Sequence, residues 1–332
     1  MKCDGTPDCF MNCKYAQRQI TNSDRSYKNL SAVTEEVSRI KSRKNVLLWY
    51  TADEPDGWGD SPDAASLAYD KIYDVDGYHP VSLVLNCQDY EFEAYVTGTD
   101  IVMQDVYMVG INATHSVEWD TECTPDYGDC GCDNCVGEFE DISRRVDQFG
   151  DRLGALGWER TKTIWTVSQA FGGSSYWNRI PTGKEWVVQS LLAVTHGALG
   201  LSFSLRRFHT ISLPHLPGIT PWNDPTSGDI KAAATNLGQQ LVPSLTSFAL
   251  DPHVTFTTFV WQRVHFGVWK VDNRVLVVGV NLNPQVRWIP LAQLPECETH
   301  TEVEVVYDGG ASIESGNLAL WDLGSVGFVV TV

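Results

Sequence analysis

The chain has 332 residues, 20% of them charged and 43% hydrophobic, a composition that excludes a disordered polypeptide and allows one large domain plus a small one. A formal net charge of -18 excludes nucleic acid and anionic membrane surfaces as partners and suits a neutral ligand. No run approaches the roughly 20 apolar residues that span a bilayer, so no membrane partner is expected, and the amino-terminal stretch MKCDGTPDCFMNCKYAQ has no apolar signal-peptide core.

Residues 1–28 read as an irregular tail holding Cys3, Cys9 and Cys13. From Leu30 to Arg43, Leu30, Val33, Val37 and Ile40 recur at helical spacing, with Ser31 as a cap and basic residues in the last turn. The apolar run Val46–Tyr50 is long enough only for a buried strand, and it stops at Asp53-Glu54-Pro55, where Pro55 and Gly57 forbid helix. A buried strand that releases carboxylates into a loop is how a (β/α) barrel equips its carboxyl-terminal rim.

Ser61-Pro62-Asp63 starts the next helix, and residues 81–86 make the second strand, placing Asn86 at its exit. A short helix or loop covers 88–98, and the strand 100–107 places Asp105 near its exit and ends at Tyr107. The following excursion, about residues 109–137, is longer than ordinary connections and contains Cys123, Cys130, Cys132 and Cys135. With one C-x2-C knuckle only, this cluster suits two disulfides pinning a loop better than a four-thiolate zinc site.

An amphipathic helix over 138–156, closed by Gly157, leads to the strand 162–169 and its terminal Gln169. Thr182 and Glu185 stand in capping-box relation before a helix running to Gly197, with Arg179 as a structural residue pairing with a rim carboxylate or the helix end and His196 as a satisfied core histidine. The strand 199–205 and a helix over about 229–249 complete five βα units, which argue for a parallel sheet with helical cover. Beyond Val254 the texture changes to β-runs punctuated by Asp272-Asn273, Asn283-Pro284 and Gly309-Gly310. The fold class expected is therefore a partial (β/α)8 TIM-type barrel over 29–252, followed by an antiparallel β-sandwich over 253–332.

Asp53-Glu54-Pro55, the passage HGALGLSFS (196–204) and the terminal β-rich segment carry a resemblance to the (β/α)8-barrel glycoside hydrolases, clan-A-like and of uncharacterised fungal type, over about residues 29–332. In that clan an Asn-Glu-Pro motif at the end of the fourth strand supplies the proton donor, and Glu54 matches it. The resemblance then implies that the first three strands have no counterpart in residues 1–45, so the chain is expected to be a truncated form. At the end of the seventh strand, where the clan places a nucleophilic Glu, this sequence has Ser168-Gln169-Ala170-Phe171.

The expected chemistry is hydrolysis of O-glycosidic bonds, with Glu54 as general acid and Asp105 as second carboxylate. Asp53 raises the proton affinity of Glu54 by like-charge repulsion, or orients an acetamido group of an N-acetylhexosamine. Asn86 and Gln169 are expected at sugar hydroxyls, Tyr107 as a donor to developing charge, Trp177 or Tyr176 as a stacking platform and Trp58 as a desolvating neighbour of Glu54. No metal and no cofactor is expected, and the partner is an oligo- or polysaccharide. The alternative is a non-catalytic carbohydrate-binding protein derived from a glycosidase. The cysteine cluster and the sequons Asn29-Leu30-Ser31 and Asn112-Ala113-Thr114 point to a secreted, extracellular glycoprotein despite the missing signal peptide.

Overall fold

A computed structural model describes residues 30–44, 46–57, 59–124, 130–173, 176–204, 219–221 and 227–332. The expected tail 1–28, the sequon at Asn29 and Trp58 lie outside the described residues. The chain packs as two compact units: one up to Asp105 together with Gln148–Trp165, the other Val106–Asp147 together with Thr166–Val332.

In the first unit three parallel strands, β1 (Trp49–Asp53), β2 (Val81–Leu85) and β3 (Ile101–Gln104), lie side by side in that order. Their burial is continuous rather than alternating, as both faces of a parallel sheet require. The helices Leu30–Ile40 and Asp63–Val75 turn Val33, Val37, Ile40, Ala64, Ala68 and Ile72 onto Trp49 and Val81. Their spacing of three and four residues gives each helix one apolar stripe facing the sheet. After the short antiparallel pair β4 (His115–Ser116) and β5 (Thr121–Glu122), Thr163 N donates to Asp100 O at 2.9 Å and sets the start of β6 (Thr163–Gln169) beside β3.

In the second unit the helix Gly183–Thr195 is buried along nearly its whole length. The expected capping box is formed: the Thr182 hydroxyl accepts from Glu185 N, and Glu185 accepts from Thr182 N at 2.9 Å. The strand β7 (Gly200–Ser204) pairs parallel with β8 (Ile219–Pro221). The single helix expected over 229–249 is two, Gly228–Gln240 and Val242–Ala249, because Pro243 starts a new first turn where it needs no N–H.

The carboxyl-terminal part is an antiparallel sheet of strands β9 (Thr255–Trp261), β10 (Val264–Val271), β11 (Arg274–Asn281), β12 (Arg287–Pro290), β13 (Glu302–Glu314) and β14 (Asn317–Thr331). The fifteen-residue β14 pairs with β12 by its first half and with β11 by its second, while β13 follows it throughout, so one curled sheet encloses the core. Gly309-Gly310, read from sequence as a turn, is a bulge within β13, and the turn is at Ser315-Gly316, both left-handed.

Candidate active site

The site begins where β1 ends. Glu54 N still donates to Val84 O at 3.0 Å, so the sheet fixes the Glu54 backbone, but its φ of 52° is left-handed. For a residue with a Cβ that conformation costs roughly 1–2 kcal/mol. It turns the chain sharply at the carboxylate. Asp105 follows the last residue of β3 directly, and the register Leu85↔Gln104 places it one level beyond Glu54. Two strand spacings separate their backbones by roughly 10 Å, a gap that the two side chains close.

Asp105 is 4% exposed, and among the described residues neither of its carboxylate oxygens meets an N–H or hydroxyl donor. Burial pushes its proton affinity well above the ordinary carboxylate range; the charge of Glu54 and a hydrogen bond between the two carboxyls push the same way, and Asp53 and Asp56 add to it. The charges that weigh most on Asp105 are therefore all carboxylates. A carboxyl so placed keeps its proton to higher pH than an exposed one. Asp53 stands beside them with its Oδ1 accepting from the Tyr50 hydroxyl at 2.7 Å.

A fourth carboxylate, Asp56, has no counterpart in the sequence reading. It accepts from Gly57 N at 2.9 Å, Asn86 N at 3.3 Å and Cys87 N at 2.7 Å, tying the loop after β1 to the loop after β2. Burial raises its proton affinity and these backbone donors pull it back. Tyr95 reinforces the same loop by donating to Asp60 O at 2.7 Å. The one signal available in the sequence was the D-x-G spacing of a turn, which does not tell a buried clamp from a solvated Asx turn. Asn86, half-buried at the exit of β2, joins this loop through its backbone.

Three of the expected substrate contacts have other duties, all inside the second unit. Gln169 is fully buried: its Oε1 accepts from Val109 N at 2.8 Å, and its amide donates to Val109 O at 3.0 Å and Phe171 O at 3.1 Å. Both amide hydrogens are thus used, and none remains for a sugar hydroxyl. Trp177, expected as a stacking platform, is 6% exposed; its Nε1 donates to Tyr107 O at 2.6 Å, and it packs edge-on against Tyr107 and Phe171. Tyr107 is buried in the same aromatic cluster.

The long excursion is stapled as expected, by Cys123–Cys130 and Cys132–Cys135. Among the described residues no group of three or more His, Cys, Asp or Glu side chains is arranged to hold a metal ion. Cys297 is a buried thiol pushed up to about 12. His196 lies in a chain of hydrogen bonds, Nδ1 to Asp147 at 2.8 Å and Nε2 to His265 Nδ1 at 2.9 Å, as befits a structural histidine. Arg179 binds Glu185 with both terminal nitrogens at the helix start.

No protein-family model matches the chain, and no curated protein matches it in sequence. Solved structures do. A structure titled "Glycoside hydrolase" matches with a TM-score of 0.50 at 8% identity, over 91% of this chain and 69% of that one. A glycoside hydrolase family 5 protein from Bacteroides vulgatus matches with a TM-score of 0.50 at 12% identity, over 91% and 66%. The chain spans 64% of the length of a third, Eubacterium rectale Amy13B, with a TM-score of 0.46 at 10% identity. At these identities the likeness is one of fold: a barrel-type parallel α/β domain with a carboxyl-terminal antiparallel β domain.

Proposed function

We propose that the chain is a glycoside hydrolase in which Glu54 is the general acid. The observation that carries this reading is the Glu54–Asp105 pair, two carboxyls in mutual hydrogen-bond reach, one of them buried away from every N–H and hydroxyl donor among the described residues. Glycosidic cleavage needs a carboxylic acid still protonated near neutral pH, and a buried like-charged neighbour is a means of providing it. Glu54 is the half-buried member and Asp105 the buried one, so Glu54 hands the proton to the glycosidic oxygen. The C–O bond then breaks and positive charge develops on the sugar.

Asp105, expected from sequence as the second carboxylate facing substrate, serves better as the group that keeps the proton on the pair. Asp53, held by Tyr50, is the carboxylate placed to face the developing charge or an acetamido group. The substrate is an oligo- or polysaccharide, and the proposed location is extracellular, in keeping with the stapled loop and the exposed sequon at Asn112.

One observation favours a second reading, a carbohydrate-binding protein without turnover: the end of the strand Thr163–Gln169 offers a stapled glutamine where a retaining enzyme of the resembled clan carries its nucleophile. A panel of aryl glycosides separates the two. Glu54→Gln is expected to lower turnover by roughly 10²–10⁴-fold and to leave sugar affinity intact. Glycan binding by the wild type with no turnover on any member of the panel establishes the second reading instead.

A further inference from the structure

We infer that a cavity of about 270 Å³, formed wholly by residues of the second unit, binds a single neutral sugar residue. Its wall carries Arg179, Arg263, Glu138 and Glu185 beside Met108 and Phe139. Two guanidiniums and two carboxylates leave the lining without net charge, in a chain whose overall charge is -18. An ionic ligand gains nothing from such a wall. A ligand whose every polar group both donates and accepts does.

The donors are fixed in advance. Arg179 gives its two terminal nitrogens to Glu185 at 2.8 and 2.7 Å, and Arg263 gives Nε and Nη2 to Glu140 at 2.5 and 2.9 Å. Among the described residues Nε of Arg179 and Nη1 of Arg263 keep hydrogens with no hydrogen-bond acceptor. Glu138 supplies the acceptor: its side chain is 57% exposed and meets Arg263 only at 3.5 Å. Phe139 and Met108 give the apolar surface that a sugar ring covers with its C–H faces. The volume lies below the roughly 300–1,000 Å³ of drug-sized sites, which limits the occupant to about one ring.

The backbone shows that Arg263 is delivered there at a cost. Gln262 and Arg263 form the turn between β9 and β10 with φ of 47° and 59°, a two-residue turn that usually takes Asn-Gly. Asn283 Nδ2 donates to Gln262 O at 2.7 Å and Leu282 N donates to Arg263 O at 2.9 Å, holding the strained pair in place. This inference is independent of the acid assigned to Glu54.

The test uses the full chain, titrated with glucose, xylose, mannose and N-acetylglucosamine, with glucuronate as the charged counterpart, and followed by calorimetry or ligand-observed NMR. At least one neutral sugar should bind saturably, and Phe139→Ala and Glu138→Gln should each weaken it by about tenfold or more. Glu138→Gln alters one half-exposed side chain and decides the matter if Phe139→Ala fails to fold. The inference is overturned if no neutral sugar binds, if glucuronate binds more tightly than glucose, or if neither folded variant changes the affinity.

Discussion

Acidification should loosen the second unit through one imidazole, His265. It is buried on β10, hydrogen-bonded to His196, with Glu140, Asp147 and Arg263 as the other charges around it, and burial first, then the neighbouring His196, lower its pKa from 6.5 to about 4. Between those two values the unfolded chain takes up a proton that the folded chain refuses, so stability is complete above about 6.5 and falls as the pH drops. At about 1.4 kcal/mol per pH unit, the loss across that window comes to about 3 kcal/mol. The assay is urea unfolding followed by tryptophan fluorescence at a series of pH values, for the wild type and His265→Gln. Glutamine keeps a partner for His196 and does not titrate, so its stability deficit at neutral pH should shrink by about 3 kcal/mol as the pH approaches about 4. Parallel curves through the window would refute the assignment.

Asp105→Asn removes the buried carboxyl whose negative charge keeps the proton on the pair. The alkaline limb of kcat/KM should therefore move to lower pH, and a limb that stays in place would show that the pair does not hold the catalytic proton. The raised proton affinity of Asp105 also means that folding stability is lost as pH rises through its folded pKa, and the same variant should abolish that loss. Asp56→Ala strips the acceptor from three backbone N–H groups and should cost about 2–4 kcal/mol in chemical denaturation; a change near zero would mean that water replaces the clamp. Thr182→Ala breaks the capping box and should cost about 1 kcal/mol, read as a lower thermal midpoint.

Periodicity carried most of the architecture. The stripe Val33, Val37, Ile40 and the uninterrupted apolar runs at Val81 and Ile101 are local patterns that only one kind of element can bury, and the structure forms those elements within a few residues of the expected bounds. Thr182 with Glu185 was equally legible, because a cap is made between residues three apart. The break at Pro243 belongs to the same class of local information, although sequence reading merged the two helices.

What the pattern left open depends on groups far apart in the chain. Gln169 and Trp177 have the composition of sugar contacts, yet both are consumed by backbone partners about sixty to seventy residues away, Val109 and Tyr107. The β13 bulge at Gly309-Gly310 resembles a turn until β14 is seen to pair on both sides of it. The role of Asp56 rests on amides of the next loop, thirty residues on. The residues of the Asp53-Glu54 corner and of Asp105 are written in the sequence, because strand ends are marked by local composition. That burial keeps Asp105 from N–H and hydroxyl donors among the described residues, and so raises its proton affinity, is a property of the packed sheet, since desolvation is set by all the atoms that exclude water and not by neighbours in the chain.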